Sequence, residues 1–553
     1  MPIREAESLA NSFKSAFDHT PSERELSEEQ ASFSPAPSSE DKKDKTEKES
    51  LLIAENIIEG DYEEDRETLN VFDPASHLIE LPGSLRDEIS LKDHQEQGIA
   101  WLQHLFKQNE KARGCLLADD MGLGKTLQLL TLAHWYLEKN IEALPILIVA
   151  PVSLLQNWRN EVDKFFRPGT ARLKLLYGSE LKSAKLKSSQ IDQQLLEKGI
   201  TSLMHPEWLG NANIVLTTYE TLRELEFSFA AVRWSMMICD EAQKIKTPNA
   251  LVTRAAKKQN VNFRIACTGT PVENSLADIW CLFDYVQPGL LGALNEFGKV
   301  YRTPIETQTE DQNDALERLR ALIDPQVLRR MKHEVADLPD KIEDKACRTL
   351  PISPRQLESY QKEVREYEIR KAESEANDDA RGGSLVLGML HRLRMVCSDP
   401  VKGENLSLED YCQASPKMAW LMVQLKKIKS QGEKVIIFTE FRDLQQVLQR
   451  YIELEFELRV SIVNGSTKAQ SDKDDQSRQA IIDKFQNTSG FNVIVLSTTA
   501  VGFGVNIQAA NHVIHYTRPW NPAKEDQATD RAYCIGQEKV VTVYYPTIVA
   551  DGF

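Results

Sequence analysis

The chain has 553 residues, 41% of them hydrophobic, and a formal net charge of −16. This length predicts three to four domains of roughly 150 residues each, with enough apolar content for packed cores. No apolar run approaches the ~20 residues of a membrane span, and the N-terminus lacks the apolar segment of a signal peptide, so we expect no membrane partner. The eight cysteines are scattered without a C-x-x-C pair, which favours core thiols over disulfides or a structural metal.

The negative charge is concentrated near the N-terminus. Residues 1–70 contain 8 Lys/Arg and 19 Asp/Glu, a net charge of −11, which leaves −5 for the remaining residues. Residues 1–75 are rich in Ser, Glu, Lys and Pro and cannot bury enough apolar surface to fold, so we predict a disordered acidic tail. The total charge therefore does not exclude a local basic track for nucleic acid.

The first predicted element after the tail is a helix at residues 91–102, which carries Gln95. An amide can hydrogen-bond both a donor and an acceptor of adenine, so Gln95 is a candidate for selecting ATP. A glutamine taken alone would carry no such meaning. Its position about 30 residues before a phosphate-binding pattern is what favours this interpretation.

That pattern is Leu-Ala-Asp-Asp-Met-Gly-Leu-Gly-Lys-Thr at residues 117–126, between an apolar run and a predicted helix. The two glycines let backbone N–H groups approach phosphate oxygens, Lys125 can reach the terminal phosphates, and the Thr126 hydroxyl can ligate magnesium. The helix N-terminus adds partial positive charge. Asp119 stands where the strict pattern has its first glycine. The predicted nucleotide-binding residues of this loop are Gly122, Leu123, Gly124, Lys125 and Thr126, and the predicted cofactors are ATP and magnesium.

A second apolar run, residues 234–239, leads into Asp240 and Glu241. Asp240 would hold the magnesium, and Glu241 would orient or deprotonate the attacking water. The alternative is a strand that ends in solvated acids, which the upstream phosphate loop makes less favourable.

Apolar runs at residues 145–149, 214–219, 234–239 and 264–267 alternate with helical segments. Fully apolar strands separated by helices indicate an α/β fold with a parallel sheet covered on both faces. Polar residues follow the strands, where such sheets bind their ligands.

Four motifs together carry a family resemblance: Asp-Asp-Met-Gly-Leu-Gly-Lys-Thr, Leu-Ile-Val-Ala-Pro-Val-Ser-Leu-Leu-Gln-Asn-Trp, Asp-Glu-Ala-Gln-Lys-Ile-Lys and Thr-Gly-Thr-Pro-Val-Glu-Asn. In this order they resemble the Swi/Snf-type ATPases of the DEAD/DEAH-box-like helicase superfamily, from about residue 85 to the end. The resemblance implies two tandem RecA-like lobes. We assign residues 76–285 to the ATP-binding lobe, 286–414 to helical protrusions and a linker, and 415–553 to the second lobe.

The second lobe is indicated by apolar runs at residues 434–441, 460–467 and 492–499. It has no phosphate loop, and the resemblance implies that it closes over ATP and supplies a cation to the developing charge. The resemblance makes Gly504 and Arg531 nucleotide-binding residues of this lobe, and Arg531 and Gln243 catalytic ones beside Lys125, Asp240 and Glu241.

Four departures from the family pattern bear on mechanism. Gln243 replaces the usual histidine, for which we expect a modest effect, and Val501 replaces a common glycine. Cys534 replaces an arginine that would face the phosphates beside Arg531, which predicts a slower enzyme. The chain stops at Phe553, after a predicted last strand at residues 540–546, without the closing helix of the family. We therefore interpret it as a fragment or a truncated product.

These observations predict a DNA-dependent ATPase that moves along double-stranded DNA and displaces or remodels bound protein complexes, without separating the strands. One alternative is a catalytically weakened, nucleotide-gated binding module, which Cys534 and the missing end favour. Another is a strand-separating DNA or RNA helicase. The resemblance places DNA at residues 151–153, 217–219, 244–246, 464–466 and 499–502. The modest insertions suggest a prokaryotic, cytoplasmic monomer associated with the nucleoid; a eukaryotic member would be nuclear.

Overall fold

The computed structural model describes residues 72–73, 77–197, 199–335, 338–376, 382–467, 477–498 and 506–550. The predicted acidic tail lies outside these residues, apart from Phe72 and Asp73. The chain forms two compact units that divide between Val335 and Ala336. Within the described ranges, no helix has both the length and the apolar character that a membrane crossing requires.

A parallel seven-stranded sheet organises the described part of the first unit, in the order β3-β4-β2-β5-β6-β1-β7. Every residue of β1, β2, β4 and β5 is buried, as expected for strands covered on both faces. The strands are β1 (Gly114–Leu117), β2 (Ile146–Val149), β3 (Leu173–Leu176), β4 (Ile214–Thr217), β5 (Trp234–Asp240), β6 (Val261–Cys267) and β7 (Val327–Leu328).

Helices connect and cover these strands, as parallel pairing requires crossover connections. The described helices of the first unit are α1 (Asp93–Lys107), α2 (Lys125–Lys139), α3 (Val152–Phe165), α4 (Gly178–Ala184), α5 (Gln193–Glu197), α6 (Tyr219–Glu224), α7 (Glu226–Ala230), α8 (Leu251–Lys257), α9 (Ala277–Val286), α10 (Leu294–Phe297), α11 (Thr303–Glu306), α12 (Gln312–Ile323) and α13 (Lys332–Val335).

The second unit contains a parallel six-stranded sheet in the order β11-β12-β10-β13-β14-β8, and a small pair, β9 with β15, among its described residues. The strands are β8 (Lys341–Asp344), β9 (Leu350–Pro351), β10 (Lys434–Phe438), β11 (Ser461–Val463), β12 (Asn492–Leu496), β13 (His512–His515), β14 (Val541–Tyr544) and β15 (Ile548–Val549). The described helices are α14 (Pro354–Ala376), α15 (Gly382–Ser398), α16 (Leu408–Ala414), α17 (Pro416–Gln431), α18 (Arg442–Phe456), α19 (Arg478–Asn487) and α20 (Pro522–Thr529).

Alternate side chains of β10 pack into different cores. Val435 and Ile437 belong to a cluster with residues of α17 and α18. Ile436 and Phe438 belong to a cluster with residues of α19 and α20. Because successive strand residues point to opposite faces, this division shows that helices cover both faces of the second sheet. The predicted α/β class with two parallel sheets is confirmed.

Four short strands differ from the sequence-based assignment, one of them β9, which lies within residues 286–414 and pairs with β15. Strand β7 pairs with β1 in the first sheet and β8 pairs with β14 in the second, although residues 286–414 were assigned to helical protrusions and a linker. Strand β15 follows the strand expected to be the last. Strands of two to four residues carry too little periodicity to be recognised, and their partners are distant in sequence.

Candidate active site

The ends of three strands lie level at one edge of the first sheet. Leu117 of β1 is paired with Cys267 of β6, and Cys267 is paired with Asp240 of β5. Parallel strands end at the same edge, so the phosphate loop after β1 and the acids at the end of β5 come together there. This pairing brings polar residues together at one edge of the sheet, as the sequence predicts.

The phosphate loop turns at its two glycines, which have φ values of 84° at Gly122 and 80° at Gly124. L-residues avoid this left-handed region, so both turns require glycine. At Gly124 there is also no space, since an added Cβ would lie 2.4 Å from Nε2 of Gln95. Helix α2 begins immediately afterwards at Lys125, so its N-terminal N–H groups border the loop.

Lys125 and Thr126 are the first two residues of α2, and both are partly exposed. The Lys125 ammonium donates hydrogen bonds to the carbonyl oxygens of Asp119 (2.7 Å) and Asp120 (3.1 Å). The ammonium therefore lies over the loop that precedes it, and its contact with phosphate stays a prediction.

Gln95 lies against the same loop. Its Oε1 accepts a hydrogen bond from the N–H of Lys92 (3.1 Å), and its Nε2 donates to the carbonyl of Leu123 (3.3 Å). His94 also contacts the Leu123 carbonyl through Nε2, at 3.1 Å, and burial lowers the pKa of His94. Gln95 thus supports the loop backbone, and its recognition of adenine stays a prediction.

Asp240 is a buried carboxylate with protein donors on both oxygens. The indole N–H of Trp158 donates to Oδ2 (2.8 Å), and the N–H of Glu241 donates to Oδ1 (3.0 Å). The Tyr219 hydroxyl donates to the Asp240 carbonyl (2.7 Å). Burial raises the pKa of Asp240, whereas the Trp158 bond and the nearby charge of Lys125 oppose that shift.

Glu241 is buried and has left-handed backbone angles, φ 52° and ψ 53°. Few residues other than glycine adopt this conformation, and such strain is concentrated at functional sites. Nε2 of Gln243 donates to Glu241 Oε2 (2.8 Å), and the Thr268 hydroxyl donates to Oε1 of Gln243 (2.7 Å). Gln243 therefore links the acid after β5 to the segment after β6.

Glu161 on α3 lies near this cluster, three residues after Trp158. The side-chain amide of Asn157 donates to Glu161 Oε1 (3.0 Å). Burial, reinforced by the charge of Asp240, raises the pKa of Glu161 to about 7. The site thus contains a carboxyl group that titrates near neutrality and that sequence reasoning missed.

The predicted residues of the second unit are placed as follows. Arg531 and Cys534 are buried just after α20, and the Cys534 thiol approaches the Arg531 carbonyl at 3.6 Å. The side-chain amide of Gln537 donates to three carbonyls at 3.0 Å each, those of Gln508, Ala510 and Ala532, which fixes this turn. Gly504 and Val501 lie outside the described residues.

The loops predicted to contact DNA differ in what they expose. Thr217, Thr218 and Tyr219 are buried, with Thr218 capping α6 through its side chain. Lys246 forms an ion pair with Glu273 (2.6 Å). With exposures of 0–2%, residues 217–219 present almost no surface, backbone included, for the predicted DNA contact. Residues 499–502 lie outside the described part of the chain.

The residues present fit a magnesium nucleotide. The glycines leave the turn of the loop without Cβ atoms, and Lys125 supplies a cation beside it. The Thr126 hydroxyl and the Asp240 carboxylate are oxygen ligands of the kind that Mg²⁺ prefers. These two residues would hold the metal.

A parallel sheet with a phosphate loop on one strand and paired acids on another, followed by a second parallel sheet, is typical of the helicase-type ATPases. Residues 94–402 match the SNF2-related domain family, and residues 416–536 match the helicase conserved C-terminal domain. The chain therefore belongs to the SNF2-related family, which confirms the resemblance seen in its motifs.

Several known proteins are similar to this chain. Zorya protein ZorD of Escherichia coli O139:H28 is 52% identical over 510 residues, which are 91% of this chain and 46% of that protein. The ATP-dependent helicase/translocase YwqA of Bacillus subtilis is 35% identical, covering 85% and 47%. The Sulfolobus solfataricus SWI2/SNF2 ATPase core in complex with dsDNA is 34% identical, covering 85% and 90%, with a TM-score of 0.42. The chain spans about half the length of the two curated relatives.

Besides Glu161, two residues of the site were missed in the sequence. Trp158 was visible only as part of a motif, with nothing to indicate that its indole reaches Asp240. Arg330 binds Asp119 across 211 positions of the chain. A buried carboxylate requires a partner, but the sequence does not say which of the many arginines supplies it.

Proposed function

We propose that this chain is an ATPase that is stimulated by double-stranded DNA and moves along it without separating the strands. The observation that carries the proposal is the convergence of Lys125, Asp240 and Glu241 at one sheet edge, in a member of the SNF2-related family. Lysine and two acids in this arrangement are the parts that phosphoryl transfer to water requires.

Each residue has a distinct role in this proposal. Lys125 exchanges its carbonyl partners for phosphate oxygens, and Thr126 and Asp240 hold magnesium. Magnesium, when bound, neutralises charge on the phosphates. Glu241 orients the attacking water. Gln243 donates to the Glu241 carboxylate and accepts from the Thr268 hydroxyl, and so holds the carboxylate in place. Arg531 is proposed as the cation that stabilises the transition state.

The choice of double-stranded DNA rests on the family. A rice relative, 31% identical over 499 residues, is named as a DNA excision repair protein, and B. subtilis YwqA is named as a helicase/translocase. Binding to the phosphate backbone of DNA does not depend on the base sequence, and it weakens as the salt concentration rises. The exposed side chain of Lys244 lies three residues after Glu241, in one of the segments where DNA is predicted.

The test is steady-state ATP hydrolysis without nucleic acid and with single-stranded DNA, double-stranded DNA or RNA. We expect stimulation chiefly by double-stranded DNA, abolished in Lys125→Ala. Lys139→Ala, at the other end of α2, is the matched control and should behave as the wild type. Displacement of a third strand from a DNA triplex, without unwinding of the duplex, would separate translocation from strand separation. Equal rates in every condition would contradict the proposal.

A second candidate is a nucleotide-gated binding module, favoured by Cys534 in place of a phosphate-facing arginine. Its thiol is fully buried, and a thiol in any case carries no positive charge to offer a nucleotide. This candidate predicts nucleotide binding that depends on Lys125 and changes DNA affinity, with hydrolysis no faster than in Lys125→Ala.

A further inference from the structure

We propose that Arg330, near the end of the first unit, is a positioning residue for the phosphate loop. The inference rests on the proposed binding of ATP at that loop. It extends the site to a segment, residues 328–332, that the sequence assigned to the linker between the lobes.

Arg330 forms a buried ion pair with Asp119. The Arg330 backbone N–H (3.1 Å) and Nε (2.9 Å) both donate to Asp119 Oδ1, while Nη2 donates to Oδ2. Asp119 is 0% exposed and Arg330 is 9% exposed. Asp119 stands where the strict phosphate-loop pattern has glycine. Its side chain is bound to an arginine two residues past β7, the edge strand that pairs with β1.

The same guanidinium contacts the elements on both sides of the loop. Nη1 donates to the carbonyl of His94 in α1, and Nη2 donates to Oε1 of Gln128 in α2 (3.0 Å). Helix α1 precedes the loop and α2 follows it. A planar guanidinium has five donors in a fixed arrangement, so one side chain sets the spacing of three segments at once.

The backbone reinforces this connection. Ala118 N–H donates to the Leu328 carbonyl (2.7 Å), and Asp120 N–H donates to the Arg330 carbonyl (3.0 Å). The Lys332 N–H donates to Asp120 Oδ2 (3.0 Å). The pairing of β1 with β7 thus continues past both strands, along the start of the phosphate loop.

These contacts lead directly to the lysine of the loop. The carbonyls of Asp119 and Asp120 are the two acceptors of the Lys125 ammonium. Residues 328–332 fix the side chains and one backbone N–H of these same two aspartates. The position from which Lys125 meets phosphate is therefore set by Arg330 and its neighbours.

Gly98 of α1 leaves the space that Arg330 uses. An added Cβ would lie 1.9 Å from Oε1 of Gln128 and 2.8 Å from Nη2 of Arg330. Gln128 is fully buried, so neither group can move away easily. Gly98→Ala therefore displaces the guanidinium without removing any charge, and alanine favours the helix.

The experiment measures KM for ATP, kcat and the Kd of a fluorescent ADP for the full chain, Arg330→Lys and Gly98→Ala. Lysine keeps the charge but cannot form the fork, so we expect both KM and Kd to rise about tenfold or more, with kcat within about threefold. Gly98→Ala should shift them in the same direction. Arg318→Lys is the matched control because, among the described residues, Arg318 forms an exposed pair with Asp314 on α12, and it should match the wild type.

A merely structural role gives a different pattern. Loss of folded protein lowers apparent kcat in proportion and leaves KM and Kd unchanged, and thermal unfolding would report the same loss. Unchanged KM and Kd in both variants would overturn the inference. A wild-type chain that binds no ADP and hydrolyses no ATP would instead refute the proposed function, which keeps the two failures distinguishable.

Discussion

The indole N–H of Trp158 donates a 2.8 Å hydrogen bond to Oδ2 of Asp240. Trp158 is 1% exposed on α3, which follows β2, whereas Asp240 ends β5. The bond favours the charged carboxylate and so opposes the effect of burial, which raises the pKa of Asp240. Trp158 therefore helps to keep this acid in the charged form and fixed orientation that its proposed role as a magnesium ligand needs.

We predict that Trp158→Phe raises the magnesium concentration needed for half-maximal ATP hydrolysis several-fold. Phenylalanine keeps most of the apolar contact but has no N–H, so the carboxylate loses its fixed donor. A magnesium titration at saturating ATP measures the effect. Trp208→Phe is the control, since Trp208 is a buried tryptophan that packs against Phe229 instead (5.4 Å between ring centroids). An unchanged magnesium requirement in Trp158→Phe would refute this role.

We predict that Gln243→Ala lowers kcat about 10- to 100-fold while the Kd for nucleotide stays within about twofold. The amide holds Glu241 through a 2.8 Å bond, and a misoriented general base loses rate without losing binding. Gln243→His should retain most of the activity, because an imidazole can contact both Glu241 and Thr268. Single-turnover hydrolysis with a parallel binding titration makes the distinction. An equal loss in Kd would place Gln243 in nucleotide binding instead.

We predict that Glu161→Gln increases stability at pH 8 but not at pH 4. Burial raises the pKa of Glu161 to about 7 from 4.5, so the folded state holds a proton that the unfolded state has lost between these values. Stability contributed by this group is therefore full below pH 4.5 and falls as the pH rises through 7, by about 3 kcal/mol. Glutamine stays neutral at both pH values, so the variant does not lose this stability as the pH rises.

Urea unfolding, followed by tryptophan fluorescence without magnesium or nucleotide, checks the Glu161 prediction. Glu220→Gln on α6 is the control, because Glu220 is exposed. A gain that is the same at pH 4 and pH 8 would show that the substitution acts through packing, not through ionisation.

We predict that Cys534→Arg increases kcat more than tenfold. The resemblance to the Swi/Snf-type ATPases implies an arginine here, and an arginine that faces the transferred phosphoryl group is worth about 10³–10⁵ in turnover. The thiol is 0% exposed, so the longer side chain must leave its pocket to act. Cys534→Ala, which adds no charge, should leave the rate unchanged. No increase in a variant that melts at the wild-type temperature would contradict the prediction.

The sequence determined the parts of this protein that depend on neighbouring residues. Apolar runs separated by helical segments predicted the parallel sheets, because strands buried on both faces must be apolar throughout. Glycines before Lys125 predicted the phosphate loop, and both have the left-handed conformation that the turn requires. Asp240 and Glu241 were predicted to lie beside that loop, and the register of β5, β6 and β1 brings them to one edge.

The tertiary structure alone decided which distant side chains complete the site. Trp158 and Asp240 are 82 positions apart, and Arg330 and Asp119 are 211 apart. Each contact depends on the order of the strands in the sheet and on the direction in which each side chain leaves its helix or loop. Periodicity shows that a residue faces the core, but not which residue it meets there. Those contacts form only when the sheet assembles, and for that reason they could not be predicted from the sequence.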